Sequence, residues 1–145
     1  MSDYTYVSAE EVQRVCGDIG ISDWTALEGP EIDISEAEVI QKTVGGEALD
    51  IGPEEFKLGL EIELEHGLRY PDANVSNNHP ILTGRIVLAH LKEGRDYYQR
   101  LNCMELEMEL TDAITKKDIE RCISKRRDLA EARAKLEANV LKHLR

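Results

Sequence analysis

Apolar residues recur at three- and four-residue spacing over most of this chain, a pattern that predicts helices. Helix-start signals divide the pattern, because a Ser or Thr followed three residues later by an acidic residue is typical of a capping box. The pattern predicts a short helix stopped by Gly17 or Gly20, a second short helix closed by Gly45, and a long amphipathic final helix. The three capping boxes are Ser8 with Glu11, Ser35 with Glu38, and Thr115 with Asp118.

The segment from Asp50 to His66 carries two conflicting patterns. Its apolar residues alternate with non-apolar ones from Phe56 to Leu64, which is typical of a strand. Pro53 is followed by two glutamates, and proline fits the first helical position while carboxylates there face the positive end of the helix dipole. Gly67 stands where a helix C-cap would. We therefore predict a helix over Pro53–His66.

The next two helices differ in their apolar patterns. Ile81–Glu93 is apolar almost all round and should be the most buried helix, capped by Asn78. After Gly94, Asp96 is placed to cap a helix that runs to about Leu110. The core-facing stripe of that helix is expected at Tyr97, Leu101, Met104 and Met108. The predicted fold is an all-α, compact helical bundle with a buried central helix and a long amphipathic C-terminal helix.

Charge is distributed unevenly along the 145 residues, whose net charge is −11. From Met1 to Thr115 there are 8 basic and 24 acidic residues, and from Lys116 to Arg145 there are 10 basic and 5 acidic. We therefore predict an acidic helical domain over residues 1–110 and a basic C-terminal helix over residues 111–145. The basic helix is expected to pack on the body or to form an oligomer contact. Its charge partner lies in the same molecule, in another protomer or on a foreign acidic protein.

Composition excludes several classes of function. An acidic chain does not present a basic face to nucleic acid over its whole surface. The three cysteines are far apart and form no CxxC, which indicates reduced thiols rather than disulfides or a zinc site. No long apolar run and no basic leader are present, so we expect no membrane contact and a cytoplasmic location. No phosphate loop or nucleophile pattern appears, and we assign no catalytic residue, which makes an enzyme the less favoured class.

Two carboxylate–imidazole pairs form the candidate site. In Glu63–His66 and in His90–Glu93 the two residues are three positions apart, so on helices they share a face. Helical bundles hold metal ions with these same ligand types. The sequence thus predicts a metal site formed by Glu63, His66, His90 and Glu93, with iron, manganese or zinc as the candidate metals.

A buried hydrogen-bond network is the leading interpretation of these four residues, ahead of metal binding and of acid–base catalysis. On helical wheels Glu63 and His90 point towards the predicted core. A buried carboxylate without a partner is costly, so Glu63 needs one, and His90 is the nearest, followed by His66. His66 is also placed to cap the C-terminus of its own helix. A four-residue site further requires the second helix to project well past the first.

Two other features are weaker candidates. His79, in a loop before a proline, is expected to be solvated. The basic run Lys125–Arg127 is suited to phosphate contact, but it is interleaved with acidic residues and more often forms a solvated helix face.

Several sequence blocks resemble a family of small uncharacterised domains encoded by phages and prokaryotes. The matching blocks are SAEEVQRVCGDIGISDW, EEFKLGLEIELEHG, NVSNNHPILTGRIVLAHLKE and DYYQRLNCME, within Ser8–Glu105, with an apparent insertion over about residues 25–47. The resemblance implies a compact helical domain, sometimes joined to phage structural or maturation proteins, and implies no activity. Its hallmark positions correspond to Glu63, Glu65, His66, Thr83, Gly84, His90, Glu93, Asp96, Tyr97 and Tyr98.

Two departures from the family pattern affect what the resemblance implies. Asn78-His79 stands where acidic residues are expected, and Gly94-Arg95 replaces an apolar residue and a proline. If loop carboxylates are metal ligands in relatives, this chain lacks them. The basic helix after Thr115 lies outside the resemblance.

The leading expectation for function is a non-enzymatic interaction or structural module of phage or mobile-element origin, which binds a protein partner or itself. The alternative is a metal-binding helical protein that uses the Glu/His residues. A weaker alternative is nucleic-acid-related binding through the basic C-terminal helix.

Overall fold

The computed structural model describes residues 6–144, and over that range the protein has six α-helices and no strand, so the predicted all-α class is confirmed. Short 3-10 turns lie at Trp24–Ala26, Gly46–Asp50 and Pro71–Ala73. The segment around Leu60 is helical, as predicted from Pro53 and against its strand-like alternation. The helices are α1 Ala9–Ile19, α2 Ile34–Val44, α3 Pro53–Arg69, α4 Pro80–Glu93, α5 Tyr97–Thr115 and α6 Ile119–His143.

One of the three predicted capping boxes marks a helix start. The Ser8 hydroxyl accepts a hydrogen bond from the Glu11 amide at 3.1 Å, and Gly20 ends α1 in the left-handed region. The other two predictions are wrong. Asp33 precedes α2, and the Asp118 carboxylate caps α6 by accepting from the Arg121 amide at 3.1 Å. An aspartate is itself a strong N-cap residue, and Asp118 takes this role in place of Thr115 at α6; the side chain of Asp33 makes no cap hydrogen bond at α2.

By its contacts the chain forms two compact units, Met1–His90 and Leu91–Arg145, called the first and second unit below. The division predicted at residue 110 was based on charge, and it stays a prediction. None of the helices between Tyr6 and Leu144 has an apolar stretch that would span a bilayer.

The core of the first unit is made by one face each of α1, α2, α3 and α4. Helix α2 packs on α3, and α1 packs on the turn that carries the fully buried Trp24. Gly84 of α4 lies so close to α2 that a Cβ there would stand 2.9 Å from Cγ2 of both Ile40 and Val44. Helix α4 is therefore tightly packed at its middle, while Arg85, Ala89, Lys92 and Glu93 on it are exposed.

The segment that looks like an insertion in the sequence supplies part of this core. Gln41 of α2 is buried, and its side-chain NH2 group donates to the carbonyls of Ala48 and Ile51, both at 2.7 Å. Glu36, also on α2, accepts from the Trp24 indole N–H at 3.3 Å. These contacts join α2 to the turns on either side of it, so the segment is a structural element of the first unit.

The second unit is an antiparallel hairpin of α5 and α6. Lys117, with φ of 56°, makes the turn between the helices. Interhelix ion pairs join Arg121 to Asp112 at 2.6 Å, Lys125 to Glu109, and Arg133 to Glu107 at 2.6 Å. The hairpin core consists of Cys103, Leu106 and Leu129, with Leu110, Ala132 and Leu136 packed around them.

The predicted core stripe of α5 is wrong. Met104 and Met108 are 49% and 56% exposed. Helix α5 is apolar on two faces, and the face that contacts α6 is the one bearing Cys103 and Leu106. A periodicity argument finds both faces but does not show which of them meets a partner helix.

Candidate functional site

The Glu63–His90 pair is the centre of the predicted site. Nδ1 of His90 on α4 lies 2.8 Å from Oε1 of Glu63 on α3, so the prediction that these two are partners is confirmed. The side chains are 29% and 13% exposed respectively. The pair therefore lies at the edge of the core of the first unit.

A cleft of about 200 Å³ lies beside this pair in the first unit. Glu63 and His66 line it from α3, Thr83 lines it from α4, and the loop after α3 closes it. The Thr83 hydroxyl donates to the carbonyl of His79 at 2.8 Å, which leaves the hydroxyl oxygen as an acceptor. The cleft thus presents a carboxylate, an imidazole and a hydroxyl around one small volume.

Asparagines hold the loop wall of the cleft against the end of α3. The Asn74 side-chain NH2 group donates to Oδ1 of Asn78 at 2.8 Å and to the carbonyl of Gly67 at 3.3 Å. A Cβ on Gly67 would stand 2.6 Å from that same Asn78 oxygen. Gly67 is therefore needed for the close approach of the loop, and the prediction that it ends α3 is wrong, because α3 runs on to Arg69.

His79 has a structural role that the sequence argument missed. Its Nδ1 accepts from the amides of Ile81 at 3.1 Å and Leu82 at 3.3 Å, which is the geometry of a helix N-cap. The predictions of Asn78 as the cap and of a solvated His79 are both wrong. Burial is the main cause that lowers the pKa of His79 below its usual value. Histidine is not a usual cap residue, so only its place before Pro80 pointed to this role.

The four predicted metal ligands are distributed over the two units. Glu63, His66 and His90 belong to the first unit, while Glu93 ends α4 in the second unit and is exposed. Over residues 6–144, no three His, Cys, Asp or Glu side chains are grouped so that they would hold a metal ion. The four-residue metal site stays a prediction.

The hairpin of the second unit presents apolar surface on its outer faces. A groove of about 510 Å³ follows the start of α5, lined by Tyr97, Leu101 and Met104 and by the Arg100 side chain. On α6 and at the residue that caps its C-terminus, four large apolar side chains are each more than half exposed, at Ile119, Ile123, Leu141 and Leu144. The hairpin core uses only part of the apolar surface of its two helices.

The basic run of α6 is divided between two environments. Lys125 pairs with Glu109 of α5, whereas Arg126 and Arg127 are exposed. Outside the run, Arg121 and Arg133 of α6 also form ion pairs with acidic residues of α5. Three of the seven lysines and arginines of α6 therefore pair with acidic residues of α5.

Comparison with known proteins gives one result. A family model described as "Protein of unknown function (DUF5661)" matches residues 12–107, a range that includes the cleft, α4 and the first half of α5. No curated protein and no solved structure matches the chain. The chain belongs to this family of unknown function, DUF5661.

Proposed function

We propose that the protein is a non-enzymatic interaction module and that the α5–α6 hairpin carries its binding surface. The observation that supports this is the exposed apolar surface of the hairpin. Met104 and Met108 on α5 are about half exposed, and Ile119 on α6 is 72% exposed. Large apolar side chains exposed on both helices favour a surface that binds other proteins.

The charge of the second unit favours a protein partner over nucleic acid. From Leu91 to Arg145 there are 13 basic and 11 acidic residues, so the unit is close to neutral. Three of its basic residues already pair with acidic residues of α5, at Arg121, Lys125 and Arg133. Nucleic-acid binding depends on uncompensated basic charge, so the nucleic-acid alternative is the weaker one.

We also propose that the protein is located in a reducing compartment such as the cytoplasm. Cys16 and Cys103 are buried free thiols, and Cys122 is a partly buried one. Free thiols persist where glutathione and thioredoxin keep cysteines reduced. The phage or mobile-element origin stays a prediction.

Single substitutions on the exposed face of α5 test the proposal. Met104→Glu or Met108→Glu should lower the mass measured by light scattering, or abolish capture of partners from an extract of the source cells. Asn102→Glu is the matched control, since Asn102 is exposed on the same helix and the change in charge is equal. Methionine variants that match both wild type and control in mass and in captured partners would exclude α5 as the binding surface, and the same result for Ile119→Glu on α6 would contradict the proposal.

Point substitutions test the proposed binding surface more clearly than a deletion of Lys116–Arg145 would. Leu106 of α5 and Leu129 of α6 are both in the hairpin core. Removing α6 would therefore expose Leu106, and aggregation would obscure any change in partner capture.

A second candidate is binding of a metal ion or small polar ligand in the cleft between α3 and α4. The contact of 2.8 Å between Glu63 and His90, next to the cavity that His66 lines, supports it. The absence of a three-ligand group over residues 6–144 weighs against it. Elemental analysis of tag-free protein tests the metal version. Stoichiometric iron, manganese or zinc that Glu63→Gln removes would support it, and no metal together with unchanged melting on adding metal would reject it.

A further inference from the structure

Helix α6 carries a second apolar face that the hairpin core does not use. At about 100° per residue, seven exposed residues fall within about 60° of each other, roughly a third of a turn from the face that packs on α5. We name this surface the outer stripe. It consists of Ile119, Ile123, Arg126, Ala130, Glu137, Leu141 and Leu144.

The order of residues in the outer stripe is self-complementary. Ile119 and Leu144 are equally distant from the midpoint between Glu131 and Ala132, and so are Arg126 and Glu137. In an antiparallel pair of identical helices that cross at this midpoint, each residue faces the one at its mirror position. Ile119 then meets Leu144 and Arg126 meets Glu137, while Ile123 and Leu141 each lie one position away from the mirror position of the other.

We propose that the outer stripe binds a second copy of this chain, with the two α6 helices antiparallel about a two-fold axis near Ala130. This inference rests on the proposed function, of which it names the partner. The isoleucines at one end of each stripe would pack on the leucines at the other end of the second copy. Ala130 stands near the crossing point, where a small side chain lets the helices approach closely.

Charge complementarity is the argument for a second copy over a foreign protein. In an isologous contact the residues at mirror positions meet twice, so opposite charges there attract at both places, and the outer stripe has this arrangement at Arg126 and Glu137. Arg126 of each copy would meet Glu137 of the other, so the dimer contains the pair twice. Pairs at an interface rim mainly set register and suppress wrong arrangements, and here they favour the antiparallel one.

The Arg126–Glu137 pair cannot form inside one helix. The two residues are eleven positions apart, which corresponds to about 16 Å along α6 at 1.5 Å per residue. Any coupling between these residues must therefore come from two copies of the chain.

A charge swap in the full-length purified protein tests the inference. Arg126→Glu alone and Glu137→Arg alone each create two like-charge contacts, so the dimer dissociation constant from sedimentation equilibrium should rise about tenfold or more. The double variant restores both pairs in reversed order and should return the constant to within about threefold of wild type. Lys135→Glu and Glu131→Arg, on the other side of α6 and also exposed, are matched controls that should change it by less than about twofold.

Cysteine cross-linking checks the antiparallel arrangement independently. Ile119→Cys combined with Leu144→Cys, in a Cys122→Ser background, should oxidise to a covalent dimer. Each single variant should not, because identical positions lie far apart in this arrangement. The two ends of α6 are about 37 Å apart in one chain, so an intramolecular disulfide is excluded.

The outcomes separate this inference from the proposed function. A swap that restores the dimer supports the inference. A monomer at all concentrations, or a dimer that none of the stripe variants affects, overturns it. If the stripe variants have no effect while Met104→Glu abolishes partner capture, the inference fails and the proposed function stands.

Discussion

Substituting Gly84 by alanine tests how closely α4 packs on α2. A Cβ at this position would stand 2.9 Å from the γ2 methyl groups of Ile40 and Val44 and 3.4 Å from the ring of Phe56. All three neighbours are side chains, and Ile40 and Phe56 are fully buried. They can move only by shifting the helices that carry them, because protein interiors are close-packed.

Two effects of opposite sign determine the free energy of unfolding of this variant. Alanine is a better helix former than glycine by about 0.8–1 kcal/mol in a helix interior. Forcing an extra methyl group into a well-packed core costs about 1–3 kcal/mol. The steric effect is the larger one, so we expect Gly84→Ala to destabilise the protein by about 1 kcal/mol, which is about 2–4 °C in Tm for a chain of this length.

Gly17→Ala is the control that isolates the helix-propensity effect. Gly17 lies in α1, is exposed, and has no neighbouring atom within 4 Å of the place that a Cβ would occupy. This variant should gain about 0.5 kcal/mol. Urea denaturation followed by circular dichroism measures both variants against wild type. If both substitutions stabilise the protein, the close approach of α4 to α2 is refuted.

Two further predictions concern polar side chains. His79→Ala should cost about 1 kcal/mol at pH 7.5 through loss of a helix cap. Because burial lowers its pKa, with Glu11 opposing that shift and Arg14 and Arg85 adding to it, the cap contributes above about pH 6.5 and is lost as the pH falls below that value. Urea titrations across pH 5–8 should show this dependence in wild type and not in His79→Asn; the same slope in both would contradict the cap. Gln41→Leu should cost about 2 kcal/mol in the same assay, since two buried carbonyls lose their donor, and a loss under about 0.5 kcal/mol would refute that role.

Local signals in the sequence were enough to predict the helices but not all of their ends. Pro53 with two following glutamates correctly outweighed the strand-like alternation in α3. Gly67 looked like a stop signal, yet its lack of a side chain serves a loop contact with Asn74 and Asn78. A glycine has the same appearance in a sequence whether it ends a helix or admits a neighbour, so tertiary contacts decide between the two.

The candidate site was predictable as a pair and not as a cluster. Helical wheels directed Glu63 and His90 towards each other, and the structure confirms their contact at 2.8 Å. A helical wheel does not show how far a side chain is shielded from solvent, and Glu63 is partly buried rather than fully enclosed. The cap formed by His79 was also missed, because the geometry depends on the turn before Pro80 and not on residue type.

The charge asymmetry of the chain is explained by the hairpin. A basic segment after an acidic body suggested docking in the same molecule, between protomers or on a foreign partner, and the ion pairs from Arg121, Lys125 and Arg133 to α5 lie within the molecule. These pairs use three of the basic residues of α6. Arg126 and Glu137 are exposed and lie outside the hairpin core. Asp96 is the main cause that raises the pKa of Arg100 on α5, but the charge of Glu137 also contributes. Part of the basic charge of α6 is thus paired with α5, and Arg126 and Glu137 on the outer stripe are arranged to meet those of a second α6.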